Sequence, residues 1–477
     1  MGSRAPPTLL QLALERLLRE EALVISALED LPVGMFPEMF KKAFNDRLSN
    51  ILRAMVPAWP FPCLPAGGLI YNPHLETLKG LLDGLDVLIT EKVHPRSKLR
   101  VLDLINVNLD FWSLNAGSHK SGCSPQSMRQ PQSVEMCPNS VQKKPFTVVT
   151  ELEITKASFT ECDIYLLQWA KRQKASVHLC CRKLHIWDAP VFTATQLFNM
   201  VDVGCIQELR LSQWCLQYMA HIFPYLGQMR HLRTLILEII RQLFTSDAAA
   251  EPEWISLLLS QFSKLPCLQN LCVNDVYFLT GCLEEWLRCL NNPLVTLSIT
   301  YCRLSQSDLR YLSQCLVICE LKHLNLSGVE LSNSCPKLLG VLLERLKSTL
   351  QTLELEQCNL KDPHFNAILP ALTQCSQLTK INFYRNDISL LVLKNLLHHT
   401  AKMRRLTQEL YPAPLECYDY FTILRDKFIQ LCPELLDILR VERQPRKVSF
   451  ATRACFVCFK SCFYDHKARL CLCSYAG

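Results

Sequence analysis

Leu294-x-x-Leu297-x-Ile299-x-x-Cys302-x-Leu304 is followed in the same register by Leu321-x-x-Leu324-x-Leu326-x-x-Val329-x-Leu331 and Leu350-x-x-Leu353-x-Leu355-x-x-Cys358-x-Leu360. Leu378-x-x-Ile381-x-Phe383-x-x-Asn386-x-Ile388 continues it, and Leu268-x-x-Leu271-x-Val273-x-x-Val276-x-Phe278 stands one unit earlier. The anchors recur about every 26 to 29 residues. One match to so short a pattern is common by chance; five in one register are not.

Within each unit the alternating anchors read as a short strand with apolar residues facing inward, and the following Cys, Val or Asn marks where the chain turns back. Helical spacing fills the remainder. Ser305-Gln-Ser307-Asp308 starts a helix ahead of Leu309, Leu312 and Leu316, and Asp362-Pro363 starts another ahead of Phe365, Ile368 and Leu369. Ser389 does the same before Leu390, Leu393 and Leu397. The period and pattern are those of a leucine-rich repeat. One such unit cannot bury its own apolar face, so the units must stack. The expected fold class is α/β: a leucine-rich repeat solenoid, a ribonuclease-inhibitor-like horseshoe with an N-terminal helical cap.

Working outward, the array is expected over residues 99–410. Leu99-x-x-Leu102-x-Leu104-x-x-Val107-x-Leu109 opens it, and Val149-x-x-Leu152-x-Ile154-x-x-Ala157-x-Phe159 resumes it. Between them, residues 113–146 are rich in Ser, Gln, Pro, Asn and Lys without an apolar period, which predicts an insertion with little fixed structure. After a longer irregular stretch come Ile206-x-x-Leu209-x-Leu211-x-x-Trp214-x-Leu216 and Leu232-x-x-Leu235-x-Leu237-x-x-Ile240. The pattern decays after Met403-x-x-Leu406, and Phe421 to Leu439 reads as a closing helix. Residues 411–477 are therefore expected to form a C-terminal helical cap with a basic, cysteine-rich tail.

Residues 1–98 are of another kind. Leu9, Leu10, Leu12, Ala13, Leu17, Leu23, Ala27 and Leu28 predict one helix from Thr8 to Asp30, ended by Leu31-Pro32. A second helical pattern runs from Pro37 towards Met55, and Leu78, Leu81, Leu82, Leu85 and Leu88 form a third stripe. Terminal repeats must shield the core, so a helical cap is the expected role.

The chain has 477 residues, of which 49% are hydrophobic and 20% charged, a globular composition. No run of about 18 apolar residues reads as a membrane span, and the start lacks the build of a secretory signal. Twenty-five cysteines in such a chain read as reduced core fillers. A cytoplasmic protein is expected, with the nucleus as a second location. The formal charge of +7 is concentrated in residues 440–477, with eight Lys or Arg against Glu442 and Asp465. That tail also holds Cys455, Cys458, Cys462, His466, Cys471 and Cys473, a weak zinc candidate; a solvated tail is the plainer reading. No phosphate-cradling loop, H-E-x-x-H or G-x-S-x-G elbow is found, so neither an enzyme nor a cofactor is expected.

Residues flanking the strand anchors should face out of the concave side. They include Glu151, Glu153, Glu208, Arg210, Glu238, Asn270, Asn274, Thr296, Ser298, His323, Asn325, Glu354, Glu356, Lys380, Asn382 and Tyr384. Six of the flanking residues are acidic and two basic, the wrong sign for nucleic acid. The face suits a polar or basic protein segment, and Tyr384 stands out as its one aromatic anchor. An ordinary solvated sheet face is the alternative.

Several segments resemble one family in order along the chain. They are Ala5-Pro6-Pro7-Thr8-Leu9-Leu10, Ala58-Trp59-Pro60-Phe61-Pro62-Cys63-Leu64-Pro65, His74-Leu75-Glu76-Thr77-Leu78, His178-Leu179-Cys180-Cys181, His323-Leu324-Asn325-Leu326-Ser327, Tyr411-Pro412-Ala413-Pro414 and Arg443-Gln444-Pro445. The chain is similar there to the PRAME family, named for the preferentially expressed antigen in melanoma. The resemblance implies a substrate receptor of a cullin-2 RING ubiquitin ligase, with elongin B/C and cullin-2 as partners besides an unknown protein substrate. Thr8-Leu9-x-x-x-Ala13-x-x-x-Leu17 fits an elongin-binding box, except that Ala13 stands where the box has Cys. Leu31-Pro32-Val33-Gly34-Met35 fits the start of a cullin-2 box, so residues 8–35 would be the ligase-docking segment. The physical mode is a helix laying i, i+4 and i+8 side chains into an apolar groove. The resemblance also implies a rival, a co-regulator repressing retinoic acid receptor signalling without a ligase. Leu78-Lys-Gly-Leu81-Leu82, Leu339-Gly-Val-Leu342-Leu343 and Leu393-Lys-Asn-Leu396-Leu397 spell the LxxLL helix read by nuclear receptors. That spacing is also what the buried face of a repeat helix requires, which is the better reading.

Overall fold

A computed structural model describes residues 9–67, 74–90, 97–105, 146–155, 159–241, 251–333, 335–420, 422–454, 461–465 and 468–469. The chain divides into two compact units, Met1–Ile206 and Gln207–Gly477. The repeats anchored at Leu99 and Val149 thus group with the cap helices. The expected insertion, 113–146, lies outside the described residues except for Phe146, which opens a strand.

In the first unit, the single helix expected over 8–30 is two: α1 (Leu9–Leu17) and α2 (Glu21–Ala27). The break has a packing cause. Leu14, Leu18, Val24 and Leu28 are all buried, and an unbroken helix of 3.6 residues per turn would carry position 25 inward in place of 24. The slip at residues 18–20 restores the phase. The second pattern also divides, into α3 (Phe36–Asn45) and α4 (Ser49–Met55), at a turn where Arg47 takes φ 59°. Phe36, Phe40 and Phe61 surround the buried Trp59 ring edge-on, at centroid distances of 6.1, 5.3 and 5.6 Å. The indole N–H of Trp59 donates to the Cys63 carbonyl at 3.0 Å, so the aromatic centre of the cap ends at β1 (Cys63–Pro65).

Helix α5 (Leu75–Thr90) follows, with Gly80 and Gly84 against α4. A Cβ at Gly84 would lie 2.5 Å from the Arg53 carbonyl oxygen, and one at Gly80 would lie 2.6 Å from that of Ser49. Only glycine permits so close an approach. The strands β2 (Val101–Asp103), β3 (Phe146–Thr155) and β4 (Val177–Trp187) then pair in parallel, with Leu64 beside Leu102, Leu102 beside Val148, and Leu152 beside Leu184. β4 is a repeat that the pattern search passes over. Cys181-x-x-Leu184-x-Ile186-x-x-Ala189 fills the motif, with Cys181 and Ala189 in two anchor seats, and all four are buried. The register shifts opposite Thr150 and Glu151, leaving Arg182 as the extra residue of a bulge.

The second unit carries the regular array: β5 (Glu208–Ser212), β6 (Thr234–Ile240), β7 (Asn270–Val276), β8 (Thr296–Thr300), β9 (His323–Asn325), β10 (Thr352–Glu354), β11 (Lys380–Asn382) and β12 (Gln408–Pro412). Every pair is parallel, and one apolar row runs through Leu209, Leu235, Leu271, Leu297, Leu324, Leu353 and Ile381. The inner anchors Leu297, Leu326 and Leu355 are shut from water. Helices Gln306–Leu312, Asp362–Leu372 and Leu390–Ala401 start where expected, and Ser305 and Ser389 accept hydrogen bonds from the first-turn backbone, but the first ends before Leu316, which is exposed.

One backbone feature repeats without a sequence signal. The residue two places after the second inner anchor is left-handed in successive units: Gln213 (φ 59°), Ile239 (54°), Asp275 (51°), Tyr301 (53°), Gly328 (76°), Gln357 (55°) and Arg385 (58°). This kink lets the next side chain (Trp214, Ile240, Val276, Cys302, Val329, Cys358 or Asn386) return to the core, where each is buried. A β-branched Ile239 in that region is strained. Asn386 shows what the seat demands. Its Nδ2 donates to the carbonyls of Leu355 (2.6 Å) and Phe383 (2.8 Å), and its Oδ1 accepts from the N–H of Cys358 (3.1 Å) and Leu360 (3.0 Å). Cysteine does a weaker version, the Cys358 thiol donating to the Leu326 carbonyl at 3.1 Å. Burial pushes this thiol up to about 12 and that of Cys302 to about 11, so neither is a nucleophile at neutral pH.

The ladder closes on a polar lock. Glu409 occupies the row continued from Ile381. Its carboxylate meets the Arg443 guanidinium at 2.6 Å and accepts from the Tyr411 hydroxyl at 2.8 Å. Burial raises the Glu409 carboxyl, with Arg443 opposing. Arg443 follows the closing helix, Arg425–Glu442, and strand Lys447–Ala451 then adds to β12 in parallel.

Candidate functional site

Two kinds of surface carry the expected site residues: the cap helices of the first unit and the strand faces found in both units. On α1, residues three and four apart share a face. Leu14 and Leu18 take the inward face. Leu9 (84% exposed), Leu12 (48%) and Ala13 are left in solvent, and Leu17 is half-buried. The i, i+4, i+8 line of Leu9, Ala13 and Leu17 therefore runs along the open side of the helix. Thr8 lies outside the described residues. The second box is divided: Pro32 and Val33 are exposed and Met35 half-buried, but Leu31 is buried in the cap. Leu23 and Ile25 are exposed on α2. Beside them, Ile25, Leu28, Ala54, Pro57 and Val87 line a groove of about 480 Å³ rimmed by Glu21, Glu29 and Arg53.

The strand faces are different in character, because many of their polar groups pair between neighbouring strands. In the first unit Glu151 meets Lys183 at 3.3 Å and Glu153 meets His185 at 3.1 Å. In the second, the Arg210 guanidinium grips Glu238 at 2.9 and 3.0 Å, and Lys380 meets Glu354 at 2.6 Å. Asn270 donates to Thr234 (3.0 Å), Asn382 to Glu356 (3.0 Å), and His323 pairs with Thr352 (3.0 Å). Glu208, Asn274, Thr296, Ser298 and Asn325 are half-buried along the same face. The result is a set of hydrogen-bonding groups in which Glu151, Glu238 and Glu354 each meet a Lys or Arg, while Glu153 meets a histidine and Glu356 an amide.

Tyr384 is not the exposed anchor expected from its register position. It is 6% exposed. Its hydroxyl donates to the Thr452 carbonyl at 3.0 Å and contacts Ser461, and its ring packs on Phe463 at 6.0 Å. The C-terminal segment covers it, a contact across 68 residues that strand periodicity cannot reveal. The same segment is less of a free basic tail than its composition implies. Arg440 meets Asp437 at 2.9 Å, Arg443 is buried on Glu409, and Arg453 contacts Asp387. Of the six tail residues considered for zinc, only Cys462 is described; it is buried, with its N–H donating to the Thr452 hydroxyl at 3.0 Å. Cys455, Cys458, His466, Cys471 and Cys473 lie outside the described residues.

All nine leucines of the three LxxLL segments are buried, so none is presented to a receptor groove in the folded chain. No helix among the described residues is long and apolar enough to cross a membrane.

By its ladder and helices the protein is a leucine-rich repeat solenoid with an N-terminal helical cap. It belongs to the PRAME family: residues 6–112 match the PRAME N-terminal domain and residues 146–473 the PRAME C-terminal domain. Its relatives include Oogenesin-3 of Mus musculus, 48% identical over 98% of this chain and 94% of that protein. PRAME family member 8 of Homo sapiens is 43% identical over 99% of this chain and 100% of that protein. Among solved structures, a chain of the yeast Rad7 and Elc1 complex is 12% identical, covering 86% of this chain and 93% of its own, with a TM-score of 0.39.

Proposed function

We propose that the protein is a substrate-recognition adaptor of a cullin-2 RING ubiquitin ligase, acting by binding and performing no chemistry of its own. The supporting observation is the orientation of α1. Leu14 and Leu18 do the packing, and the elongin-box line of Leu9, Ala13 and Leu17 is left on the open side. Leu9, the first residue of that line, is 84% exposed. Family membership supports the same reading. In it, α1 lays its apolar line into a groove of elongin C, Pro32 and Met35 contribute to the cullin-2 contact, and the polar strand faces select a protein for ubiquitin-dependent degradation. The buried LxxLL leucines count against the co-regulator reading in its receptor-binding form.

The test is co-purification of the full chain with elongins B and C, then with cullin-2. Wild-type protein is expected to retain both. Leu9→Ser is expected to retain less elongin with an unchanged melting temperature, and Pro32→Ala to weaken cullin-2 alone. A Leu9→Ser protein that binds elongins as well as wild type would defeat the proposal.

A further inference from the structure

The first unit brings together a histidine, an aspartate and two cysteines from two short sequence elements. His178 and Cys180 alternate on β4, so both side chains leave the strand on the same face. Asp202 and Cys205 bracket a single helical turn, Val203–Cys205, after the helix Val191–Met200. Backbone contacts hold the two elements in place, the Asp202 N–H reaching the Leu179 carbonyl at 3.3 Å. Asp202 divides its carboxylate between two tasks. Oδ1 accepts from the Gly204 N–H at 2.9 Å, and Oδ2 faces His178 Nε2 at 2.7 Å. His178 Nε2 lies 3.6 Å from the Cys205 thiol, and Cys180 shares a buried cluster with Cys205.

We propose that His178, Cys180, Asp202 and Cys205 form a structural zinc site that fastens the 202–205 turn to β4. The donor set is right for zinc, with two thiolates, one imidazole and one carboxylate. The spacing of His178, Asp202 and Cys205 is right as well, and Cys180, in one buried cluster with Cys205, supplies the fourth ligand. Tetrahedral bonds of roughly 2.0–2.3 Å to zinc separate neighbouring ligand atoms by roughly 3.3–3.8 Å. The ligand atoms of His178, Asp202 and Cys205 all lie within 4.8 Å of one another, and the His178–Cys205 separation already falls in that window. The His178–Asp202 contact has only to open by about half an ångström, replacing a hydrogen bond with two metal bonds. The carboxylate is meanwhile held by Gly204 in the manner of an outer-shell partner. Cys180 and Cys205 are buried, packed with Val149 against Val101 and Ile105, whereas His178 and Asp202 reach the surface. Metal thus has a route in and the sulfur ligands are shielded.

The experiment uses the full chain, purified under reducing conditions without chelator, with zinc counted by plasma mass spectrometry. One zinc per chain is expected, lost in Cys180→Ser/Cys205→Ser and kept in Asp202→His, which exchanges one zinc ligand for another. Cobalt in place of zinc should give thiolate charge-transfer absorption that the double variant lacks. A readout on unaltered protein guards against misfolding of the variant: Cys180 and Cys205 should resist alkylation until a chelator is added, as mapped by peptide mass spectrometry. Zinc content unchanged in the double variant overturns the proposal and moves the metal elsewhere, for instance to the tail cysteines. So does alkylation of both residues at equal rates with and without chelator, or a Cys180–Cys205 disulfide in protein purified anaerobically.

Discussion

Helices α1 and α5 lie in the same unit, are both rich in leucine, and differ in what they do with it. α5 buries Leu78, Leu81, Leu82, Leu85 and Leu88. α1 buries Leu14, with Leu18 just beyond it, and leaves Leu9 and Leu12 in solvent. The difference does not lie in the leucines. It lies in the neighbours: α5 has glycines at 80 and 84 that admit the α4 backbone to near contact, and a second helix, Glu161–Arg172, on another side, where Trp169 donates to Asp86 at 2.8 Å. The same residue type is core on one helix and solvent-facing on the other, according to what packs against it.

The largest effect should come from within α5. Leu81→Ala empties a fully buried seat and should cost about 3 kcal/mol in urea unfolding. Leu9→Ala should cost under about 0.5 kcal/mol, as surface changes do. Equal losses would erase the contrast between the two helices. The next largest is Gly84→Ala. Its new methyl would meet the Arg53 carbonyl oxygen at 2.5 Å and the Val56 side chain at 2.8 Å. Parting α4 from α5 should cost about 2 kcal/mol, more than alanine's better helix propensity returns. Thermal unfolding with an unchanged or raised midpoint would show that the close approach has no structural weight.

Much of this fold could be read from residues, and the failures have physical causes. The row from Leu271 to Ile381 was legible because each unit repeats the same anchors. β4 was not, since Cys181 and Ala189 fill seats usually held by larger apolar groups and a bulge at Arg182 breaks the spacing. The left-handed residues carry no common signal, because the stack holds Gln213, Ile239 and Tyr301 in a conformation glycine would adopt freely. The break between α1 and α2 follows from which leucines find neighbours, not from any helix-breaking residue. Tyr384 was misplaced because its cover, Thr452 and Ser461, comes from far along the chain. The candidate docking line on α1 was legible as spacing, but only the structure shows which side of the helix it faces. The His178 and Asp202 elements are too far apart in sequence for either to read as half of a metal site.

The contrast sharpens at Leu9 when a partner is added. If α1 docks through its open side, Leu9→Ser removes an apolar anchor from one end of a helix-in-groove contact. That should weaken elongin B–C binding about tenfold, roughly 1.4 kcal/mol, with folding unchanged. Binding measured by calorimetry at equal affinity for both proteins would leave the exposed leucine unexplained.

The smallest effect is the most discriminating, because it asks for a gain. Ala13 stands on the line between Leu9 and Leu17 and is exposed. In the free chain, Ala13→Cys exchanges the best helix former for a poorer one, a loss of about 0.5 kcal/mol at most. In a docked helix the added sulfur would fill space that alanine leaves vacant, worth about 0.8 kcal/mol on the scale of one buried methylene, or roughly fourfold in affinity. The two signs are opposite, so a general change in folding cannot imitate the result. A chain that melts slightly lower yet holds elongin B–C severalfold more tightly would place position 13 inside the groove. One that melts lower and binds no better would mean that the helix meets its partner along some other line, or not at all.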